Sequence, residues 1–215
     1  MYTPWVLRAY DAAVYRINCP YVWRISPCTL LERYKRLLTA DHLDLGVGTG
    51  YLLDHCHKPQ DRQAITLVDL NPNTLAHTAR RLARYDVTTH QGNALDPLPV
   101  PPASFGSAST NFMLHCVPGT WAEKGRVFDH LAACVRPGGW IFGTTLLSKG
   151  VPVSLPARAE MAVLNRFGIF NNQDDDLSGL ERELAARFTK YRLTVEGCTA
   201  LFEARVTETA SEPRQ

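Results

Sequence analysis

Apolar and polar positions divide the chain into a helical lead and a longer region in which short strands alternate with helices. Val6, Tyr10, Ala13, Val14 and Ile17 recur near the helical period and predict a first helix with one buried stripe. Pro20 and Pro27 interrupt the next stretch. A second helix is expected over 29–38, with Leu30, Leu31, Tyr34, Leu37 and Leu38 on one side and Ser26, Pro27 and Thr29 as start signals. Beyond residue 40 strands are predicted over 42–45, 64–68, 87–90, 105–114 and 140–146, with helices over 51–57, 72–84 and 120–135 between them. Asn71-Pro72 opens the second of these helices, since Asn caps and Pro suits the first helical position. Arg136-Pro137-Gly138-Gly139 closes the third. Helices over 157–167 and 177–188 come next, then strands over 191–195 and 199–206 joined at Glu196-Gly197, a hairpin signal. The expected fold class is α/β, a mostly parallel seven-stranded sheet covered by helices on both faces and ending in an antiparallel hairpin. The polar tail 208–215 is expected to fray.

Composition narrows the class. A chain of 215 residues, 45% hydrophobic, buries roughly 70% of the surface its unfolded form exposes and needs no staple. The net charge is +2, and the cluster Arg80, Arg81 and Arg84 has the spacing of a solvated helix face, so no nucleic-acid partner is expected. Six scattered cysteines include no CxxC pair. Cys56 has His55 and His57 beside it but no second ligand pair, so no metal is expected and the thiols read as free and mostly buried. Residues 1–18 lack the apolar core of a signal peptide, and no run of about 20 apolar residues predicts a membrane span. The cytoplasm is the expected compartment.

The chemistry gathers at one strand end. Asp44-Leu45-Gly46-Val47-Gly48-Thr49-Gly50 comes after the first strand and opens a helix, where ligands of such folds bind. The glycines let the backbone approach a ligand, and the helix N-terminus aims free N–H groups into the crevice. Asp69 ends the next strand, where an acidic side chain accepts hydrogen bonds from ribose hydroxyls; its alternative is a cap for the helix at Pro72. A dinucleotide fingerprint needs a third glycine where Tyr51 stands, and shifting the frame puts Leu53 there. Asp44 can accept from a ligand amine or orient the loop's own N–H groups, and such a charge does not suit a pyrophosphate.

These motifs together resemble the class I S-adenosylmethionine-dependent methyltransferases, of Rossmann-like fold. The resemblance implies that the loop from Asp44 through Gly46, Val47, Gly48 and Gly50 holds the methionine part of S-adenosylmethionine, the methyl donor whose product is S-adenosylhomocysteine. Leu67-Val68-Asp69-Leu70-Asn71 resembles the second motif, with Asp69 on both ribose hydroxyls and Leu70 against the adenine. Gln91-Gly92-Asn93-Ala94 resembles the third, which meets the adenine edge; Asn93 replaces the family's frequent Asp and loses its charge. Ser109-Thr110-Asn111-Phe112-Met113-Leu114-His115 resembles the fourth-strand motif, with Asn111 and Phe112 flanking cofactor and acceptor. By the same resemblance residues 1–40 form a helical lid over a cofactor-binding domain at 41–207, and Tyr10 or Tyr15 of that lid touches the cofactor.

Methyl transfer from a sulfonium is an in-line displacement, in which the protein positions and desolvates. A base is needed only for an acceptor protonated at working pH, and His115 is its candidate, set against a histidine that packs under Pro118-Gly119 or shapes the pocket. Asp174, Asp175 and Asp176 read as a helix N-cap with solvated neighbours. The acceptor is expected to be a small molecule or short peptide, with O-methylation favoured. An NAD-dependent oxidoreductase and a non-methylating binding module or cyclase are the alternatives. Oligomeric state is not encoded in these features.

Overall fold

The computed structural model describes residues 11–56 and 63–207; Val6, Tyr10, His57 and the tail 208–215 lie outside them. Strands β1 (Asp41–Leu45), β2 (Ala64–Asp69), β3 (Asp86–Gln91), β4 (Phe105–Asn111) and β5 (Val135–Leu146) pair in parallel. β6 (Lys190–Glu196) and β7 (Thr199–Arg205) form the closing hairpin, and β7 lies antiparallel to β5. The order across the sheet is β3-β2-β1-β4-β5-β7-β6. Chain order reverses between β1 and β4, and a crevice opens at their carboxyl ends.

Apolar residues cover both faces, as a parallel sheet requires. One face carries α1 (Ala12–Trp23), α2 (Pro27–Leu37), α3 (Tyr51–His55), α4 (Pro72–Arg81) and α7 (Leu155–Arg166). The other carries α5 (Trp121–Lys124), α6 (Arg126–Cys134) and α8 (Leu177–Arg187). β1 departs from an apolar strand. Alternation sends Leu43 and Leu45 into the second core, while His42 and Asp44, both buried and polar, face Tyr34 of α2.

Several elements differ from expectation. α1 is wound as a π-helix, so its buried residues, Val14, Cys19 and Trp23, step by five and four, and Ile17 is 55% exposed. The 3.6-residue stripe therefore misplaced Ile17. Pro20 lies inside this helix instead of ending it; it donates no hydrogen bond, and the wider turn accommodates its ring. Arg24, at φ 59°, stops the helix. The helix expected over 120–135 is two, meeting at Gly125. β5 starts at Val135, and the Arg136–Gly139 turn is a break in register between Phe105↔Val135 and Ser107↔Trp140. Asp176 caps α8 as expected, but Asp175 is buried, and both its oxygens accept from the fully buried Lys124 at 2.7 Å. Arg80 and Arg84 are exposed as expected, but Arg81 turns inward and bonds both Asp54 and Asp11. No helix among the described residues is long and apolar enough to cross a membrane.

Candidate functional site

The glycine loop leaves β1 with the Gly46 N–H donating to Val68 O at 2.9 Å. At Gly48, φ is +52° and a Cβ would meet nothing within 4 Å, so bare backbone faces open space. At Gly50, φ is +72° and a Cβ would come within 2.6 Å of Thr78 Cγ2; only glycine lets α3 start here. Asp69 turns into this bend. Its carboxylate accepts from the N–H of Asn71 at 2.8 Å and from the N–H groups of Val47 and Gly48. Burial nevertheless holds its pKa above the usual carboxylate range. Asn71, not Asp69, caps α4, accepting from the Asn73 N–H at 3.0 Å.

Asp44 sits beneath the loop in a buried polar chain. It accepts from the hydroxyls of Ser109 and, at 3.4 Å, Tyr34. Tyr34 in turn accepts from Asn111 Nδ2 at 3.0 Å, and Asn111 Oδ1 accepts from Thr144 at 3.2 Å. His42 bridges Ser107 and Ser109 at 2.8 and 3.0 Å. Burial pushes the Asp44 pKa up to about 6, against the two hydroxyls that favour its charge. Both hydroxyls hold the same oxygen of Asp44 from below, and Asp44 is also part of the lining of the cavity above.

That cavity, of about 510 Å³, runs from the glycine loop to the space between α1 and α7. Asp44, Gly46, Val47, Gly48, Gly50, Asn111, Phe112, Tyr15 and His115 of the predicted set all line it. Asp69, Leu70, Asn71, Asn93 and Ala94 stand outside its lining, at the ends of β2 and β3. Leu70 is 66% exposed there. Asn93 uses its side-chain oxygen to accept from the Leu95 N–H at 3.1 Å.

α1 roofs the cavity. Tyr15 stacks on Tyr51, ring centroids 3.9 Å apart, and Tyr51 stacks on His55 at the same distance. Asp11 accepts from Thr49 Oγ1 in the glycine loop and from Arg81 at 2.6 Å. Farther in, Trp23 lies 5.2 Å from Phe112, which follows β4 with φ +53°. A bulky side chain in this left-handed region is strained, a cost of order 1–3 kcal/mol that tends to mark functional positions. The His115 ring meets Phe170 at 4.4 Å and is 2% exposed. Its Nδ1 accepts from the Leu146 N–H at 3.4 Å, which leaves the proton of the neutral ring on Nε2. Burial, with Lys124 adding to it, pushes its pKa down to about 3. The neutral ring is thus a poor proton acceptor and offers a hydrogen-bond donor at Nε2.

Sequence reasoning missed one acidic residue of the cavity lining. Glu160 of α7 lines the cavity and accepts from Asn18 Nδ2 and Trp23 Nε1, each at 2.6 Å. Burial raises its pKa in spite of both bonds. No motif announces it; only the packing of α7 against α1 brings it in.

Comparison with known proteins identifies the family. A family model described as a methyltransferase domain matches residues 43–141. The chain is 48% identical over 207 residues to demethylluteothin O-methyltransferase of Streptomyces thioluteus, covering 96% of this chain and 90% of that one. It is 35% identical over 210 residues to a physcion biosynthesis cluster O-methyltransferase of Aspergillus chevalieri, covering 95% and 92%. An N-methyltransferase of Haemonchus contortus, solved with phosphomonomethylethanolamine and S-adenosylhomocysteine, superposes with a TM-score of 0.69 at 15% identity, over 96% of this chain and 59% of that one. The chain belongs to the class I S-adenosylmethionine-dependent methyltransferases.

Proposed function

We propose that this enzyme methylates an oxygen, the hydroxyl of a small molecule built on a planar unsaturated ring. One observation carries the reading. The cavity continues past the glycine loop into a chamber walled by Trp23, Phe112 and Phe170, with polar groups supplied by His115 and Glu160. Flat apolar walls with a few aimed polar groups suit a ring bearing a hydroxyl better than a charged peptide end. The relatives named for demethylluteothin and for physcion biosynthesis are O-methyltransferases, which supports the same chemistry.

The residues present fit S-adenosylmethionine. Gly48 exposes backbone with room for a ligand, Asp69 turns a carboxylate into the same bend, and Leu70 offers an uncovered apolar side chain beside it. When bound, the cofactor supplies an electrophilic methyl group on a sulfonium. In our reading the loop from Gly46 to Gly50, with Val47, holds the amino-acid end and Asp44 accepts from its amine. Asp69 accepts from the ribose; Leu70, Asn71, Asn93 and Ala94 frame the adenine. Asn111, Phe112 and Tyr15 line the passage to the reacting carbon, where an aromatic face attracts positive charge. His115 donates from Nε2 to an acceptor oxygen and orients it, instead of removing its proton. Six scattered cysteines with no CxxC pair support a reducing, cytoplasmic compartment.

The test is product analysis. Purified enzyme with S-adenosylmethionine is offered matched aryl alcohols, aryl amines and aryl carboxylates, and methylated products are identified by mass spectrometry. O-methyl ethers are expected first and fastest. Methylation confined to the amines or the carboxylates would refute the reading.

A further inference from the structure

We propose that Glu160 is the catalytic base of the acceptor chamber, taking the proton from the hydroxyl that is methylated; this rests on the proposed hydroxyl-ring acceptor. Among the described residues two carboxylates line the cavity, Asp44 and Glu160. Asp44 belongs to β1 and Glu160 to α7. Asp44 is held at the glycine-loop end by Ser109 and Tyr34, below the seat of the cofactor's amino-acid part. Glu160 is held at the other end by Trp23, the same ring that faces Phe112. Of the other groups there, His115 already accepts at Nδ1 and carries its proton on Nε2, and the exposed Cys116 carries a thiol whose proton is held at neutral pH. Neither removes a proton at neutral pH.

The arrangement is built to aim a carboxylate. Asn18 Nδ2 holds Oε1 and Trp23 Nε1 holds Oε2, so the side chain is fixed by two rigid donors from α1. An ionised carboxylate accepts about four hydrogen bonds, which leaves roughly two lone pairs for a ligand. Burial works against these donors and leaves the group more basic than a solvent-exposed glutamate, in the direction that suits proton removal near neutral pH. With His115 donating and Glu160 accepting, the chamber reads a ring hydroxyl and fixes which lone pair faces the methyl group. In the step, the hydroxyl oxygen bonds the methyl carbon and the carbon–sulfur pair stays on sulfur. The hydroxyl proton moves to a Glu160 oxygen and leaves to water after product release.

The experiment uses the enzyme saturated with S-adenosylhomocysteine, titrated with 2-naphthol and with 2-methoxynaphthalene, for wild type and Glu160→Gln. The glutamine keeps the shape and a partner for Trp23. Glu160→Gln is expected to weaken 2-naphthol about tenfold and leave the ether and S-adenosylhomocysteine unaffected, the loss of one hydrogen bond to a charged acceptor. Where folding of that variant is in question, Trp23→Phe, which frees one carboxylate oxygen, is expected to weaken 2-naphthol more than the ether. With S-adenosylmethionine, the variant's rate on 2-naphthol is expected to fall roughly 100-fold. On 2,4-dinitrophenol, ionised at the assay pH, it stays near wild type. Equal 2-naphthol affinity in wild type and Glu160→Gln would overturn the role of Glu160 and leave the hydroxyl-ring reading standing. Failure of 2-naphthol to bind the wild type would overturn both.

Discussion

His115 shows how burial decides what a residue can do. By position it is the candidate base, just after β4 and in the lining of the cavity. Desolvation removes that role by lowering its pKa from an ordinary 6.5 to about 3. The same shift makes a stability prediction. The folded state binds this proton more weakly than the unfolded chain, so the stabilisation is full above pH 6.5 and is lost as pH falls toward 3. At pH 5 the loss relative to pH 7 is about 2 kcal/mol. Asp44 works in the opposite sense. Its folded pKa of about 6 exceeds the ordinary 3.8, so its burial costs stability above pH 6 and relaxes as pH falls toward 4. The two partly cancel in wild type, and the variant separates them. Urea unfolding of His115→Asn at pH 7 and pH 5 should show a drop smaller than the wild-type drop by about 2 kcal/mol. Equal drops would mean that the folded protein protonates His115 freely.

At the scale of elements, the roof of the cavity depends on one cation. Arg81, at the end of α4, bonds Asp11 at the start of α1, the carbonyl of Thr49 in the glycine loop and Asp54 of α3. Arg81 is 19% and Asp11 10% exposed in their side chains, so the pair is screened less than a surface bridge. Arg81→Met keeps the aliphatic stem and leaves Asp11 without this partner, a loss of about 2 kcal/mol for a partly buried pair. Amides of α1 should then exchange with deuterium faster, while those of β4 and β5 slow or quicken only with global stability. Unchanged protection of α1 would mean that the Tyr15–Tyr51 stack alone holds the roof. None of this was legible in the sequence. Arg81 read as one of three solvated arginines, because its spacing is helical and its partners lie 27 to 70 residues away. The sheet was legible because its signals are local: apolar runs, glycines at strand ends, Asn71-Pro72, Glu196-Gly197. The glycine-loop end of the cavity was legible for the same reason, since loop and strand end are contiguous. The end walled by Trp23, Phe112 and Phe170 was not. Glu160, Asn18 and Phe170 meet only in space, and a π-wound helix with an internal proline hides the register that brings Asn18 and Trp23 to one carboxylate.

At the scale of the whole molecule, the crevice between β1 and β4 must choose among nucleotides, and its glycines do so. A dinucleotide fold needs a small residue at the third fingerprint position, where the helix packs closely on the strand. Here that position is Tyr51, whose ring is stacked between Tyr15 and His55, or in the shifted frame Leu53, which is buried in the core. Neither leaves a pyrophosphate the close approach it requires, and Asp44 lines the same space with a carboxylate. A ligand that binds only the folded state stabilises it by about 3 kcal/mol at a hundred times its Kd. For a domain of this size that raises Tm by roughly 5 to 10 °C. S-adenosylhomocysteine should produce that rise and NADH none. Asp69→Ala, which removes the carboxylate proposed to accept from the ribose without touching the chamber of Trp23 and Phe112, should abolish the rise while 2-naphthol binding survives. If NADH alone stabilised the protein, the bend between Asp44 and Tyr51 would have to repack around a pyrophosphate, and the assignment of the loop to a sulfonium nucleotide would be wrong.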